Sequence, residues 1–223
     1  MTLDYNWLVV DDTCMYVMPD MNVLATRGPD TLQVIQEARK KANMPALPDG
    51  SVALGDPGIL LHHLGMDSGS CRQSQLRSCD YRFCFVSHAG DGGDFINKVV
   101  REHNFQRFSP FVTWDVMVRQ LGTCQHVLCR SLHCIILSDA MNIPNVFFQF
   151  ANTTNKEPIH KYRDYYGSFG ISRDDMPYFE DAALAMEYLE GNKHVKLQHH
   201  QARIDALYEA FPLSLFAIQK ISG

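Results

Sequence analysis

The stretch from Cys124 to Phe150, CQHVLCRSLHCIILSDAMNIPNVFFQF, constrains the fold more than any other part of the chain. The apolar run His126-Val127-Leu128-Cys129 delivers a polar cluster, Arg130-Ser131-Leu132-His133. A helical pattern follows through Ile135, Ile136, Leu137 and Ala140, and Asn142-Ile143-Pro144 ends it. A second apolar run, Val146 to Phe150, comes at once. Strand, polar turn, helix and strand in this order predict one βαβ unit. Its polar cluster then stands at the carboxyl end of a strand and the amino end of a helix. Open α/β sheets bind ligands there, because helix N–H groups and the helix dipole favour anions. An arginine, a serine and a histidine at such a turn suit a site that holds an anion and moves a proton.

The same alternation runs through the rest of the chain. Residues 6–10 form a short apolar run, and Val23-Leu24-Ala25 forms another that leads into Thr26-Arg27-Gly28-Pro29-Asp30-Thr31. Pro29 or Asp30 opens a helix whose apolar face is Leu32, Ile35, Ala38 and Ala42. Arg27 and Gly28 therefore stand at a second anion-friendly helix start, or form a plain surface arginine beside a turn glycine. Val52-Ala53-Leu54 stops at Gly55-Asp56-Pro57-Gly58. Residues 65–79 are rich in serine, glycine and arginine and predict an exposed loop. Arg82 to Val86 is a strong strand, and His88 follows at its carboxyl end. A glycine pair at 92–93 precedes a helix over 95–103, and Thr113 opens another over 114–121. Residues 159–166 form a dense aromatic and charged helix containing Lys161 and Tyr162, and two helical runs, 177–189 and 194–211, close the fold.

Strands alternating with helices predict an α/β fold with a mainly parallel, Rossmann-like sheet. Three strand ends then carry Asp56, His88 and the Arg130-Ser131-His133 cluster to one edge, and Arg27 joins from an adjoining loop. The adjacent His62 and His63 would point about 100° apart on a helix and chelate poorly, so no metal site is predicted.

Charge and cysteine content narrow the function classes. The net charge is −5 with no long basic cluster, which gives no support to nucleic-acid binding. No apolar run approaches the roughly 18 residues that span a bilayer. The N-terminus lacks the basic region of a secretory signal. Seven cysteines, an odd number without CxxC spacing, predict a reduced, cytoplasmic chain, most of whose thiols are small buried hydrophobes.

Four ordered stretches carry a resemblance: RGPDT at 27–31, LGDPGILL at 54–61, SLHCIILSDAMNIPNV at 131–146 and KYRDYYGSFG at 161–170. Together they resemble the polysaccharide pyruvyl transferase family, over about residues 23–170. The resemblance implies a two-domain fold like that of B-type glycosyltransferases, with two Rossmann-like halves facing a cleft. It implies transfer of a pyruvyl group from phosphoenolpyruvate to a pair of sugar hydroxyls as a ketal, in exopolysaccharide or cell-surface glycan synthesis. On that footing residues 1–25 are the remnant of an N-terminal half and 26–223 the donor-binding domain with its closing helices. His133 is then the first candidate for acid or base and His88 the second, with Arg27, Gly28, Asp56, Arg130, Ser131, Lys161 and Tyr162 contacting substrate. Arginines and helix N-termini suit a donor that carries a phosphate and a carboxylate. The implied chemistry calls for no metal and no cofactor beyond phosphoenolpyruvate as donor, and the acceptor is a glycan or lipid-linked sugar.

Two positions depart from the pattern: Cys134 stands where the family has glycine, and Ser131 where many members have arginine, with Arg130 one residue earlier. A nucleotide-sugar glycosyltransferase on the same fold and a degenerate, non-catalytic glycan- or partner-binding domain remain as alternatives. The apolar tail after Pro212 leaves homo-oligomer formation open.

Overall fold

The computed structural model describes residues 23–64, 79–88, 94–151, 156–191 and 201–210. The run at 6–10, the loop over 65–78, the glycine pair at 92–93 and the tail after Pro212 lie outside these residues. The elements are β1 (Ala25–Thr26), α1 (Pro29–Lys41), β2 (Ala53–Leu54), a 3-10 helix (Pro57–Leu64), β3 (Tyr81–Val86), α2 (Asp94–Glu102), β4 (Gln106–Phe108) and α3 (Trp114–Leu121). There follow β5 (Cys124–Cys129), α4 (Leu132–Ala140), β6 (Asn145–Phe148), α5 (His160–Ser168), β7 (Tyr178–Phe179), α6 (Ala182–Glu190) and α7 (Gln201–Ala210). Among the described residues no helix is long and apolar enough to cross a membrane.

The protein is an α/β fold, as the alternation predicts. Five strands form one sheet in the order β4-β3-β5-β6-β7, with every neighbouring pair parallel. Such sheets are covered on both faces, so their strands are apolar at consecutive positions rather than at alternate ones. Phe83, Phe85, Leu128, Val146 and Phe148 point into one core with α2 and α6. Cys84, Val86, Val127, Cys129 and Phe147 point into the other with α3, α4 and α5. The alternation of side chains along each strand thus distributes one apolar run between two layers.

The predicted βαβ unit is present as β5–α4–β6. α4 ends where Asn142 turns into the left-handed region, with φ 54°, a conformation that asparagine tolerates better than most residues. The N–H of Ile143 then donates to the Ser138 carbonyl at 2.8 Å, which satisfies a helix-end acceptor before Pro144. β1 and β2 form a separate two-stranded parallel sheet. It joins the main body through the 3-10 helix on α4, α1 on α5 and α7 on β2. Leu207 of α7 packs beside Gly55, where a Cβ would come within 2.9 Å of Leu207 Cδ2, and the φ of 144° calls for glycine.

Two expectations are corrected. The run 177–189 is not helical from its start: Tyr178–Phe179 pairs with β6, and α6 begins only at Ala182. Asp181 sets that start by accepting the Leu184 N–H at 2.9 Å. Among the described residues Cys84, Cys124, Cys129 and Cys134 are buried, as predicted, and Cys79 is half-buried, but none of the five is a reduced thiol. Cys84 is bonded to Cys124 and Cys129 to Cys134, and Cys79 is also disulfide-bonded. Spacing conceals the Cys84–Cys124 pair because its members lie 40 residues apart, on the separate strands β3 and β5. Disulfides persist in oxidising compartments, so these cysteines give no support to a cytoplasmic location.

Candidate functional site

The strand order creates one reversal. From β3 the chain moves outward to β4, then crosses back to β5 and proceeds in the opposite direction through β6 and β7. The crevice outside the carboxyl ends of β3 and β5 is therefore the topological switch point, where open α/β sheets bind ligands. Val86 pairs with Cys129, Cys129 with Phe147, and Phe148 with Phe179. Two residues past Val86 along these registers, His88, Ser131, Gln149 and Glu180 stand on one row. Neighbouring strands are spaced by about 4.8 Å. Arg130 lies one step below, its N–H donating to the Val86 carbonyl at 3.0 Å.

This edge carries a connected polar cluster. His88 Nε2 meets Glu157 Oε1 at 2.7 Å, and Glu157 also accepts from Lys161 of α5. The Glu157 side chain is only 9% exposed. Its backbone N–H donates to Gln149 Oε1 at 2.6 Å, which ties the carboxylate to the end of β6. Lys156 pairs with Glu180 at 3.0 Å, and Glu180 accepts from the Tyr178 hydroxyl. Burial, followed by the Glu180 hydrogen bond, pushes Tyr178 up to about 12, while the Arg130 charge acts in the opposite direction. Tyr178 therefore remains a neutral donor at physiological pH.

The turn after β5 is held from behind. Arg130 is fully buried, and the hydroxyl of buried Tyr162 donates to its carbonyl at 2.9 Å. The Tyr162 ring stacks on Phe147, with centroids 3.6 Å apart. Ser131 is the N-cap residue of α4 with extended backbone, yet its side chain makes no capping hydrogen bond. His133 lies in the first turn of α4 and is exposed.

The second anion-friendly helix start is already filled. Asp164 of α5 is 1% exposed, and its Oδ1 accepts the N–H groups of Asp30 at 2.8 Å and Thr31 at 3.1 Å. Its Oδ2 accepts the Thr31 hydroxyl and lies 3.3 Å from Arg27 Nε. A carboxylate of the chain thus takes the place a ligand anion would occupy at the start of α1. Gly28 is extended at φ −165°, so its backbone does not require glycine. A Cβ there would come within 1.9 Å of the Asp164 carbonyl oxygen, so close approach is the reason for the residue. A cavity of about 430 Å³ beside this junction is lined by Arg27, Asp30, His160 and Asp164, among others.

The predicted residues thus divide. His88, Arg130, Ser131, His133, Lys161 and Tyr162 lie at or behind the β3–β5 carboxyl edge. Arg27 and Gly28 serve the α1–α5 junction. Asp56 accepts the Gly58 N–H at 2.9 Å and opens the 3-10 helix after β2, in the smaller sheet.

Three side chains that organise these places were not singled out from sequence. Glu157 had a signal, its i,i+4 spacing to Lys161. Asp139 and Asp164 stand within the quoted stretches at 131–146 and 161–170, but their partners Tyr165, Asp30 and Thr31 are distant in the chain. Asp139 of α4 accepts from Asn145 Nδ2 at 2.6 Å and from the Tyr165 hydroxyl at 3.0 Å, joining α4, β6 and α5. Desolvation of its carboxyl group pushes its pKa up to about 7, against the pull of those two hydrogen bonds.

No family profile matches the chain, and no solved structure matches it. An uncharacterized protein, L143, of Acanthamoeba polyphaga mimivirus is 28% identical over 127 residues. The matched segment covers 56% of this chain and spans 42% of that protein's length.

Proposed function

We propose that the chain is a pyruvyl transferase-like domain. It binds phosphoenolpyruvate at the carboxyl edge between β3 and β5 and delivers the pyruvyl group, as a ketal, to two hydroxyls of a glycan. The observation that carries this reading is the contrast between two helix starts. The start of α1 is filled by Asp164, whereas the start of α4 has no side-chain cap and faces the switch-point crevice beside Arg130 and His88. Phosphate at α4 would meet helix N–H groups, with the charge of the buried Arg130 behind them. The four ordered sequence stretches supply the reaction class.

The reaction requires a proton at the enol methylene and removal of protons from two attacking hydroxyls. Protonation of C3 leaves C2 electron-deficient, the first hydroxyl adds there, phosphate departs with the C2–O bond, and the second hydroxyl closes the ketal. His133, exposed at the crevice, and His88, held by Glu157, are the acid and base in this scheme. Lys161 and Tyr162 stand behind them on the donor side. In this reading the domain is the donor half of a B-type arrangement.

Thermal denaturation tests the reading. Phosphoenolpyruvate at 100 times its Kd adds about 2.7 kcal/mol and raises the transition by several degrees. His133→Ala is expected to abolish transfer and keep the apo transition unchanged. A shift with a nucleotide sugar but not with phosphoenolpyruvate would replace the reading with a glycosyltransferase. No shift with either would leave a non-catalytic binding domain.

A further inference from the structure

We infer that the Cys129–Cys134 disulfide is the positioning element of the anion-binding turn, which keeps its phosphate-accepting shape only in the oxidised chain. The inference deepens the proposed function, because it concerns the same turn. Cys129 is the last residue of β5 and Cys134 the third of α4, with Cα atoms 5.8 Å apart. The four residues between them are Arg130, Ser131, Leu132 and His133. The bond therefore closes a small ring around the residues assigned to the donor.

The turn needs such a brace. A helix start is normally fixed by a side chain that accepts the N–H of its second or third residue, and Ser131 does not do this. The first backbone bond of α4, from Ile135 N–H to the Ser131 carbonyl, is long at 3.3 Å. The cross-link supplies the constraint that the cap does not. Its members are 0% and 2% exposed, so it is enclosed by the core and does not compete for space in the crevice. A second disulfide acts on the same strand: Cys124, the first residue of β5, is bonded to Cys84 of β3. Both ends of β5 are thus tied to elements that frame the switch point. Reduction by a dithiol breaks the sulfur–sulfur bond, gives Cys129 and Cys134 one hydrogen each, and leaves the reductant as its own disulfide. The α4 start then relies on backbone bonds alone.

Three measurements on the full chain test this. Trypsin cuts after Arg130, between the two cysteines, so non-reducing digestion of alkylated protein is expected to yield peptides linked through Cys129 and Cys134. Hydrogen exchange of amides 131–135 is expected to quicken about tenfold in the Cys129→Ala/Cys134→Ala double variant, reporting local opening. Calorimetry with inorganic phosphate is expected to show affinity at least about tenfold weaker in that variant, as preorganisation is lost. Cys134→Gly serves in place of the double variant should the latter fail to fold. Unlinked peptides, or identical exchange with and without the bond, overturn the inference. So does equal phosphate affinity in protein that binds phosphate. Failure of the wild-type chain to bind phosphate counts against the proposed function, while peptide mapping and exchange still decide the brace.

Discussion

The Asp164 carboxylate lies 3.3 Å from Arg27 Nε while its other oxygen caps the first N–H groups of α1. This one buried group joins α1 to α5, fills the α1 start and holds Arg27 by its Nε. Asp164→Ala leaves two amides, a hydroxyl and an arginine without their acceptor. The expected loss is about 3–5 kcal/mol in chemical denaturation, as for breaking a buried pair. Arg27→Ala is expected to cost only about 1 kcal/mol, because Arg27 is partly solvated and Asp164 keeps its other donors. The same variant should leave phosphoenolpyruvate affinity within about threefold. A much larger drop in affinity would return Arg27 to the donor site.

Gly28→Ala tests the junction from the other side. The added Cβ would overlap backbone of α5 rather than a flexible side chain. Overpacking of this kind costs about 3 kcal/mol or displaces α5. Since α5 also carries Tyr162 and Lys161, a displaced helix would alter the crevice without a substitution in it. A variant as stable as wild type would contradict the packing described.

Asp139 makes stability depend on pH. Its carboxyl group titrates near 7 in the folded chain and near 3.8 as an ordinary aspartate. Between these values the folded state holds a proton that the unfolded state has released. Stability from this group is therefore full below pH 4, declines as pH rises, and levels off above 7. The total is on the order of 4 kcal/mol, at about 1.4 kcal/mol per unit. Asp139→Asn has no such proton to lose, so its stability relative to wild type should improve steadily from pH 4 to 7.5. Parallel stability–pH profiles for the two proteins would show that Asp139 ionises normally.

Glu157→Gln preserves shape and removes the charge between His88 and Lys161. If the chain transfers pyruvyl as proposed, the expected outcome is a turnover about 10–100 times slower with little change in KM for phosphoenolpyruvate, because an orienting contact acts mainly on proton transfer. The pH profile of kcat should move with it, which a purely structural role would not produce. An unchanged profile with wild-type turnover would confine Glu157 to packing.

Much of the fold was legible because the longer elements wrote their own local patterns. The βαβ unit at 124–150 could be read from apolar runs, a polar turn and the Asn142-Ile143-Pro144 stop, each an effect of neighbours in the chain. β7 was missed for the complementary reason: two residues, Tyr178 and Phe179, are a strand only because β6 offers an edge to pair with.

By itself the sequence determined the layered α/β architecture, and it placed His88 and Arg130 at the carboxyl ends of neighbouring strands. Tertiary structure decided which of two equivalent-looking helix starts is filled by a carboxylate of the chain. Arg27-Gly28 and Arg130-Ser131 read alike along the chain, and only the folding of α5 onto α1 sends Asp164 into the first. The cysteines followed the same logic. Their burial could be inferred from residue type, but whether two sulfurs meet depends on strands brought together across 40 residues. Local propensity is written in neighbours, whereas the pairing of charges and sulfurs depends on distances that only the folded chain sets.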